Sequence, residues 1–284
     1  MKVPSGKRGV GIAVAAAAAL ALAVPAGAGA ALAAPRAPHS AAALPVITVT
    51  MNGKSISVTG DLVSGAVQVV SKVSKEASGN PTFVRLDPGT TVGQVLAAAS
   101  GDPNNIALIA SIVFSPQANK GTSSAEVDLQ PGSYVAVDLN TSQNNPALTT
   151  FTISPNSSPA SLPKPKATLY SIEFAFRGPS TIHDGELVRF GNHGFLVHMM
   201  VAARASSKAR AQEIARLLKA GKDNKAQSLA DGSYQFFSIL THGQSEQQVV
   251  NLRAGYWVIA CFMDTQDGRE HTQLGMERVI RIVR

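Results

Sequence analysis

Two stretches of the chain carry short runs in which apolar and polar residues alternate, the period-two signature of half-buried strands. The first holds TVTM, ISV, PTFVRL, SIVFS, AEVDL, SYVAVDL and TTFTI, with one helical stretch at TTVGQVLAAAS. The second holds YSIEFAF, ELVRF, FLVHMMV, FFSIL, QQVVNL, YWVIACF and RVIRIV, with a helical SKARAQEIARLLKAG after the third. The parts follow in the same order, down to a PG or AG turn before the penultimate strand, which reads as an internal duplication. Short strands separated by Gly, Pro and Asn predict an all-β protein of two tandem Greek-key β-sandwich domains, each with a short inserted helix. Alternation at Tyr170, Ile172, Phe174 and Phe176 predicts one strand face. Ala211, Ile214, Leu217 and Leu218 form one stripe of the second helix, which predicts a helix covering its sandwich; a partner-binding helix is the sharper alternative.

The breaks in this pattern set the expected boundaries. Lys2, Lys7 and Arg8 precede an apolar run from Val10 to Val24, and Ala31, Leu32 and Ala33 offer an A-x-A cut site, so residues 1–33 read as a secretory signal peptide. A secreted or extracytoplasmic protein without an integral membrane segment after cleavage is expected. Residues 34–45 read as a disordered N-terminal segment. The stretch SPNSSPASLPKPK at 154–166 is rich in Pro and Ser and reads as a linker between domains at 46–153 and 167–284.

The chain has 284 residues, with 25 Lys and Arg against 18 Asp and Glu. The excess sits in the second half, where 161–284 hold 16 basic and 11 acidic residues, against 5 and 7 in 46–160. That bias suits an anionic cell envelope or an acidic partner, and it lacks the dense basic clusters of a nucleic-acid binder. A single Cys excludes an intrachain disulfide, a Cys-rich zinc module and an iron–sulfur cluster held by this chain alone.

That Cys261 lies on a strand face with Trp257 and Ile259, and a lone Cys of this kind is ordinarily a small buried hydrophobe. The residues around it point to chemistry. His271 follows after nine intervening residues, Met276 after four more, and His198 lies upstream on FLVHMMV. Two imidazoles, a thiolate and a weak thioether are the donor set of a trigonal copper site with a long axial Met.

Here the sequence resembles the cupredoxins, the type 1 blue copper proteins. VRFGNHGFLVH is similar to the strand, turn and first His of plastocyanin-like domains. NLRAGYWVIAC is similar to their L-x-P-G-x-Y-x-x-x-C strand, with Ala254 in place of Pro, and the segment from His271 to Met276 matches H-x-x-x-x-G-M. The resemblance covers Thr168 to Arg284 and, through the repeat, Ile47 to Ile153. It implies His198, Cys261 and His271 as equatorial ligands of one copper in the second domain and Met276 as the axial ligand. Two departures stand out: the loop from Cys261 to His271 is long, and Met199 replaces the Asn that commonly follows the first His and pins the ligand loops together. In the first half, aligning PTFVRL with FLVHMM sets Val84 opposite His198, and aligning SYVAVDL with GYWVIAC sets Leu139 opposite Cys261, so this half reads as a degenerate domain without metal ligands.

Weaker candidates are His183, His193 and His242, each read as a surface His or an accessory ligand, and Met199, Met200 and Met263, read as core or as a soft copper-delivery patch. Tyr134 and Tyr256 recur after the turn as a structural corner. Copper oxidases and nitrite reductases need further His ligands, and no H-x-H pair occurs. The expected function is therefore electron transfer, not catalysis, with an unknown redox or copper-delivery partner. The alternatives are a metal-free envelope or adhesion module and a copper storage or delivery protein.

Overall fold

The computed structural model describes residues 43–100, 102–141 and 146–284. The expected signal peptide and nearly all of the N-terminal segment lie outside the described residues. Among them, no helix is long and apolar enough to cross a membrane.

The first sandwich comprises β1 (Val46–Met51), β2 (Ile56–Gly60), β3 (Gly65–Gly79), β4 (Pro81–Leu86), α1 (Val92–Ser100), β5 (Ala110–Phe114), β6 (Ala118–Leu129), β7 (Gly132–Asp138) and β8 (Leu148–Ile153). The second comprises β9 (Ala167–Ile172), β10 (Ala175–Arg177), β11 (Thr181–His183), β12 (Leu187–Asn192), β13 (His198–Ala205), α2 (Lys208–Lys219), α3 (Asp223–Leu229), β14 (Tyr234–Leu240), β15 (Ser245–Val249), β16 (Gly255–Ala260) and β17 (Glu277–Val283). The protein is all-β, with the expected helix in each sandwich. α3 is an addition; its seven residues carry too few apolar positions to show a helical period.

Strand pairing repeats between the halves. β1 pairs antiparallel with β2 and parallel with β3, as β9 does with β10 and β12. β4 lies between β5 and β7 with β8 outside, as β13 lies between β14 and β16 with β17 outside. Local chemistry starts both main helices. At α1, Thr91 and Gln94 make a capping box: Thr91 Oγ1 accepts from the Gln94 N–H and Gln94 Oε1 from the Thr91 N–H. At α2, the Ser207 side chain accepts from the Arg210 N–H. The predicted stripe Ala211, Ile214, Leu217 and Leu218 is buried and packs on Val258 and Ala260 of β16. Trp257, Ile259 and Cys261, on the opposite parity of that strand, enter the sandwich core.

One predicted strand is a hairpin. YSIEFAF turns at Glu173 and Phe174 between β9 and β10, so Leu169 and Ser171 are buried and Tyr170 and Ile172 only half-buried. The turn lacks Gly, Pro, Asn or Asp, the residues that would mark it in sequence. Phe174 takes φ 56° there, an uncommon conformation for a bulky residue.

The halves share structure. An eight-stranded sheet runs β10-β9-β12-β15-β6-β3-β1-β2, joined where Glu246 and Gln247 of β15 face Val127 and Glu126 of β6. The segment 154–166 has no helix or strand longer than a single bridge, yet it is held on both sides, Ala160 O accepting from the Ala66 N–H and Pro163 O from Gln247 Nε2. Val84, Val95, Ile106, Ala110 and Ile112 of the first half belong to the same apolar core as Met199, Cys261 and Met276 of the second.

Candidate metal centre

His198 opens β13, placed by the loop from β12. Asn192, buried at the end of β12, shapes that loop: its Nδ2 donates to Leu196 O and Leu240 O, and its Oδ1 accepts from the Gly194 N–H, each at 2.8 Å. Gly194 is required, because a Cβ there would lie 2.7 Å from His198 Nε2 and 2.6 Å from Glu173 Oε1. Cys261 follows β16, and His271 sits on the 3-10 turn His271–Leu274. Left-handed Gly275 ends that turn, after which the Met276 N–H donates to His271 O and Met276 O accepts from the Cys261 N–H.

These segments bring His198, Cys261 and His271 together, all buried. The two imidazole Nδ1 atoms are 3.1 Å apart, and Cys261 Sγ lies 3.3 Å from His271 Nδ1 and 3.9 Å from His198 Nδ1. A point equidistant from the three atoms is about 2.0 Å from each, the length of a bond from a metal to an imidazole nitrogen. Both Nε2 atoms are buried without a partner, so each ring turns its Nδ1 to the cluster and leaves its other nitrogen unsatisfied. Glu173 Oε1 is 4.0 Å from His198 Nε2 and also accepts from the Phe195 N–H. Phe174 sets its ring edge-on to His271, with centroids 5.2 Å apart. Met276 is buried in the same core as Cys261.

Burial controls the protonation of this cluster. Desolvation, then the neighbouring His271, lowers His198 to about 3; desolvation lowers His271 to about 4 against the opposing pull of Glu173 and Asp102. Burial pushes the Cys261 thiol up to about 12, although the Met263 and Met199 N–H groups favour its anion. At neutral pH the cluster is two neutral imidazoles and a thiol, a donor set with one proton to lose on binding a metal.

The other candidates stand apart. Exposed His193 stacks on Tyr170 with centroids 4.6 Å apart. His242 stacks under exposed Phe195 and its Nδ1 lies 2.8 Å from Gly194 O, while His183 Nδ1 lies 3.4 Å from Arg284 O. Met199, Met200 and Met263 are core residues beside the cluster.

The register of the first half corrects the sequence alignment, by one residue opposite Cys261 and by five opposite His198. Gly132 and Gly255 hold the same turn, at φ 145° and 143°. Tyr134 Oη donates to Gln130 O as Trp257 Nε1 donates to Arg253 O, so Tyr134 matches Trp257 and not Tyr256. Counting on, Asp138, not Leu139, stands where Cys261 stands. The hydrogen bonds agree: the Asn80 N–H donates to Asp138 Oδ1 at 2.9 Å, and the Met199 N–H to Cys261 Sγ at 3.3 Å. Gly79, not Val84, therefore matches His198. The pattern L-x-P-G-x-Y-x-x-x-D, from Leu129 to Asp138, carried this signal in the sequence. The turn at Asn192 is the Asn and Gly turn that the motif VRFGNHGFLVH carries, whereas Glu173 and Asn104 escaped sequence reading, because polar turn residues have no period.

No family model matches the sequence, and no curated protein matches it. Among solved structures, the chain is similar to auracyanin B, at 15% identity over 43% of this chain and 93% of that one, with a TM-score of 0.29. It is similar to a copper-containing nitrite reductase from Thermus scotoductus, at 11% identity over 84% of this chain and 67% of that one, with a TM-score of 0.26. An auracyanin from Roseiflexus castenholzii is 15% identical over 41% of this chain and 95% of that one, with a TM-score of 0.25. These structural neighbours are cupredoxins and an enzyme with cupredoxin-like domains.

Proposed function

We propose that this is an exported copper protein that passes single electrons through one type 1 site in its second sandwich, with His198, Cys261 and His271 as equatorial ligands and Met276 as the axial one. The observation that carries the reading is the buried triangle of one sulfur and two Nδ1 atoms, sized for a first-row metal and composed of the donors that select copper. Copper, when bound, alternates between Cu(I) and Cu(II) and so carries one electron.

The protein's own part is to bind, orient and exclude water. Cys261 gives up its proton to become a thiolate, and the N–H of Met199 stabilises that charge. His198 and His271 are already neutral and bind without releasing a proton. The Met-lined core and Phe174 keep water out, and the strands behind the ligands resist rearrangement between oxidation states. An acidic or anionic-envelope partner suits the positive charge of the second half.

Cycling the copper-loaded protein between reductant and oxidant beside a Cu(I) chelator tests the reading. An electron carrier keeps one copper per chain over repeated cycles. A storage or delivery protein surrenders it on reduction, and a metal-free module never takes it up.

A further inference from the structure

We propose that the first sandwich braces the metal centre of the second, and that Asn104 is the positioning residue through which it acts. Asn104 belongs to the 3-10 turn Pro103–Leu108, between α1 and β5. Its Oδ1 accepts from the N–H of Val197, the residue before His198, at 3.0 Å. Its Nδ2 donates to the carbonyl of Asp264, three residues beyond Cys261, at 3.1 Å. One amide from the first half thus ties together the two loops that carry the ligands of the second.

The amide is itself held. Asp102 Oδ1 accepts from the backbone N–H and from the Nδ2 of Asn104, each at 2.9 Å. Ile106, on the same turn, is buried in the core that contains Cys261, Met263 and Met276, so the turn cannot slide without opening that core.

The site has need of such a tie. The loop from Cys261 to His271 is long, and a longer loop has more freedom to lose on ordering. Met199 occupies the position after the first His and has no side-chain amide to join two loops. In the first sandwich the matching residue is Asn80, whose Nδ2 goes instead to the segment after β5, donating to Ser115 O at 3.2 Å and Pro116 O at 2.8 Å. In the second sandwich the bridging amide comes from outside the domain. The first half, without ligands of its own, thereby acquires a function at the metal.

The copper part of this inference rests on the reading above, and its test separates the two. Full-length Asn104→Ala and Asn104→Ser are compared with the parent and with Gln117→Ala, which removes a different bond between the halves, from the Phe236 N–H to Gln117 Oε1. Two quantities are read: the rate at which a chelator strips copper, and hydrogen exchange of the Val197 amide in the metal-free protein. The Asn104 variants should lose copper about 10-fold to 100-fold faster, the usual scale for a residue that orients metal ligands. Their Val197 amide should exchange faster, and Gln117→Ala should change neither quantity. Asn104 variants that match the parent in both, or a Gln117→Ala that loosens copper equally, would overturn the brace. Should the parent show no thiolate-to-copper band, the copper reading fails, and Val197 exchange still decides whether Asn104 holds the loop.

Discussion

At the end of β7 a backbone N–H reaches Asp138, and at the matching end of β16 a backbone N–H reaches Cys261. Around the first bond lie Gly79 and Asn80; around the second lie His198 and Met199. In the first sandwich the Asn80 amide ties its own loop to the segment after β5, while in the second the buried His198, Cys261 and His271 are flanked by loops that Asn104 of the first half joins. The difference teaches that the fold and the site are separable. Corresponding strand pairing and the same glycine turn support a carboxylate in one half and a thiol beside two imidazoles in the other.

Making the second half like the first gives the largest effect. Cys261→Asp should abolish any sulfur-to-copper absorption while the far-ultraviolet circular dichroism of the sandwiches is retained. A band that survived would mean that the sulfur is not a ligand.

Next in size is the proton. The Cys261 thiol titrates near 12 and the imidazoles near 3 and 4, so above about pH 5 metal uptake releases one proton, from sulfur. The apparent copper affinity should rise about tenfold per pH unit between about pH 5 and pH 8, when measured against a competing chelator of known protonation. Cys261→Asp should flatten that slope.

In the first half the position matching Met199, Asn80, should matter to stability alone. Asn80→Ala leaves buried carbonyls of Ser115 and Pro116 without their donor and should cost about 1–3 kcal/mol in denaturant unfolding. Copper binding should be unchanged, since Asn80 touches neither ligand loop.

The seam between the halves should give the smallest effect. Glu246 is fully buried there; its Oε2 accepts from the Ser115 N–H and its Oε1 has no partner. Burial raises its carboxyl well above the ordinary range. A raised acid keeps its proton in the folded state after the unfolded chain has lost it, so its contribution is complete below the unfolded value of about 4.3 and declines as pH rises beyond it. Glu246→Gln should therefore lessen the loss of stability between about pH 5 and pH 8, measured by denaturant midpoints.

The sequence made the scaffold legible because alternation and turn residues are local. Trp257, Ile259 and Cys261 fell on one face as read, and the α2 stripe packed as read. The cluster of His198, Cys261 and His271 was legible because rare side chains stand at characteristic spacings. The hairpin at Glu173 and Phe174 was hidden, since a turn without Gly or Asn looks like strand. The tie at Asn104 was hidden for a different reason. It links residues 93 and 160 positions apart along the chain, a separation that no local pattern records.

Cys261, His198 and His271 are proposed to hold copper together. Titrating Cu(II) into the protein while following visible absorption tests this most directly, because only a thiolate-to-copper bond gives an intense blue band. One equivalent of copper is expected, with an intense band that saturates with it and is lost in Cys261→Ser. Copper that binds without the band, or a band that persists in Cys261→Ser, would contradict that proposal.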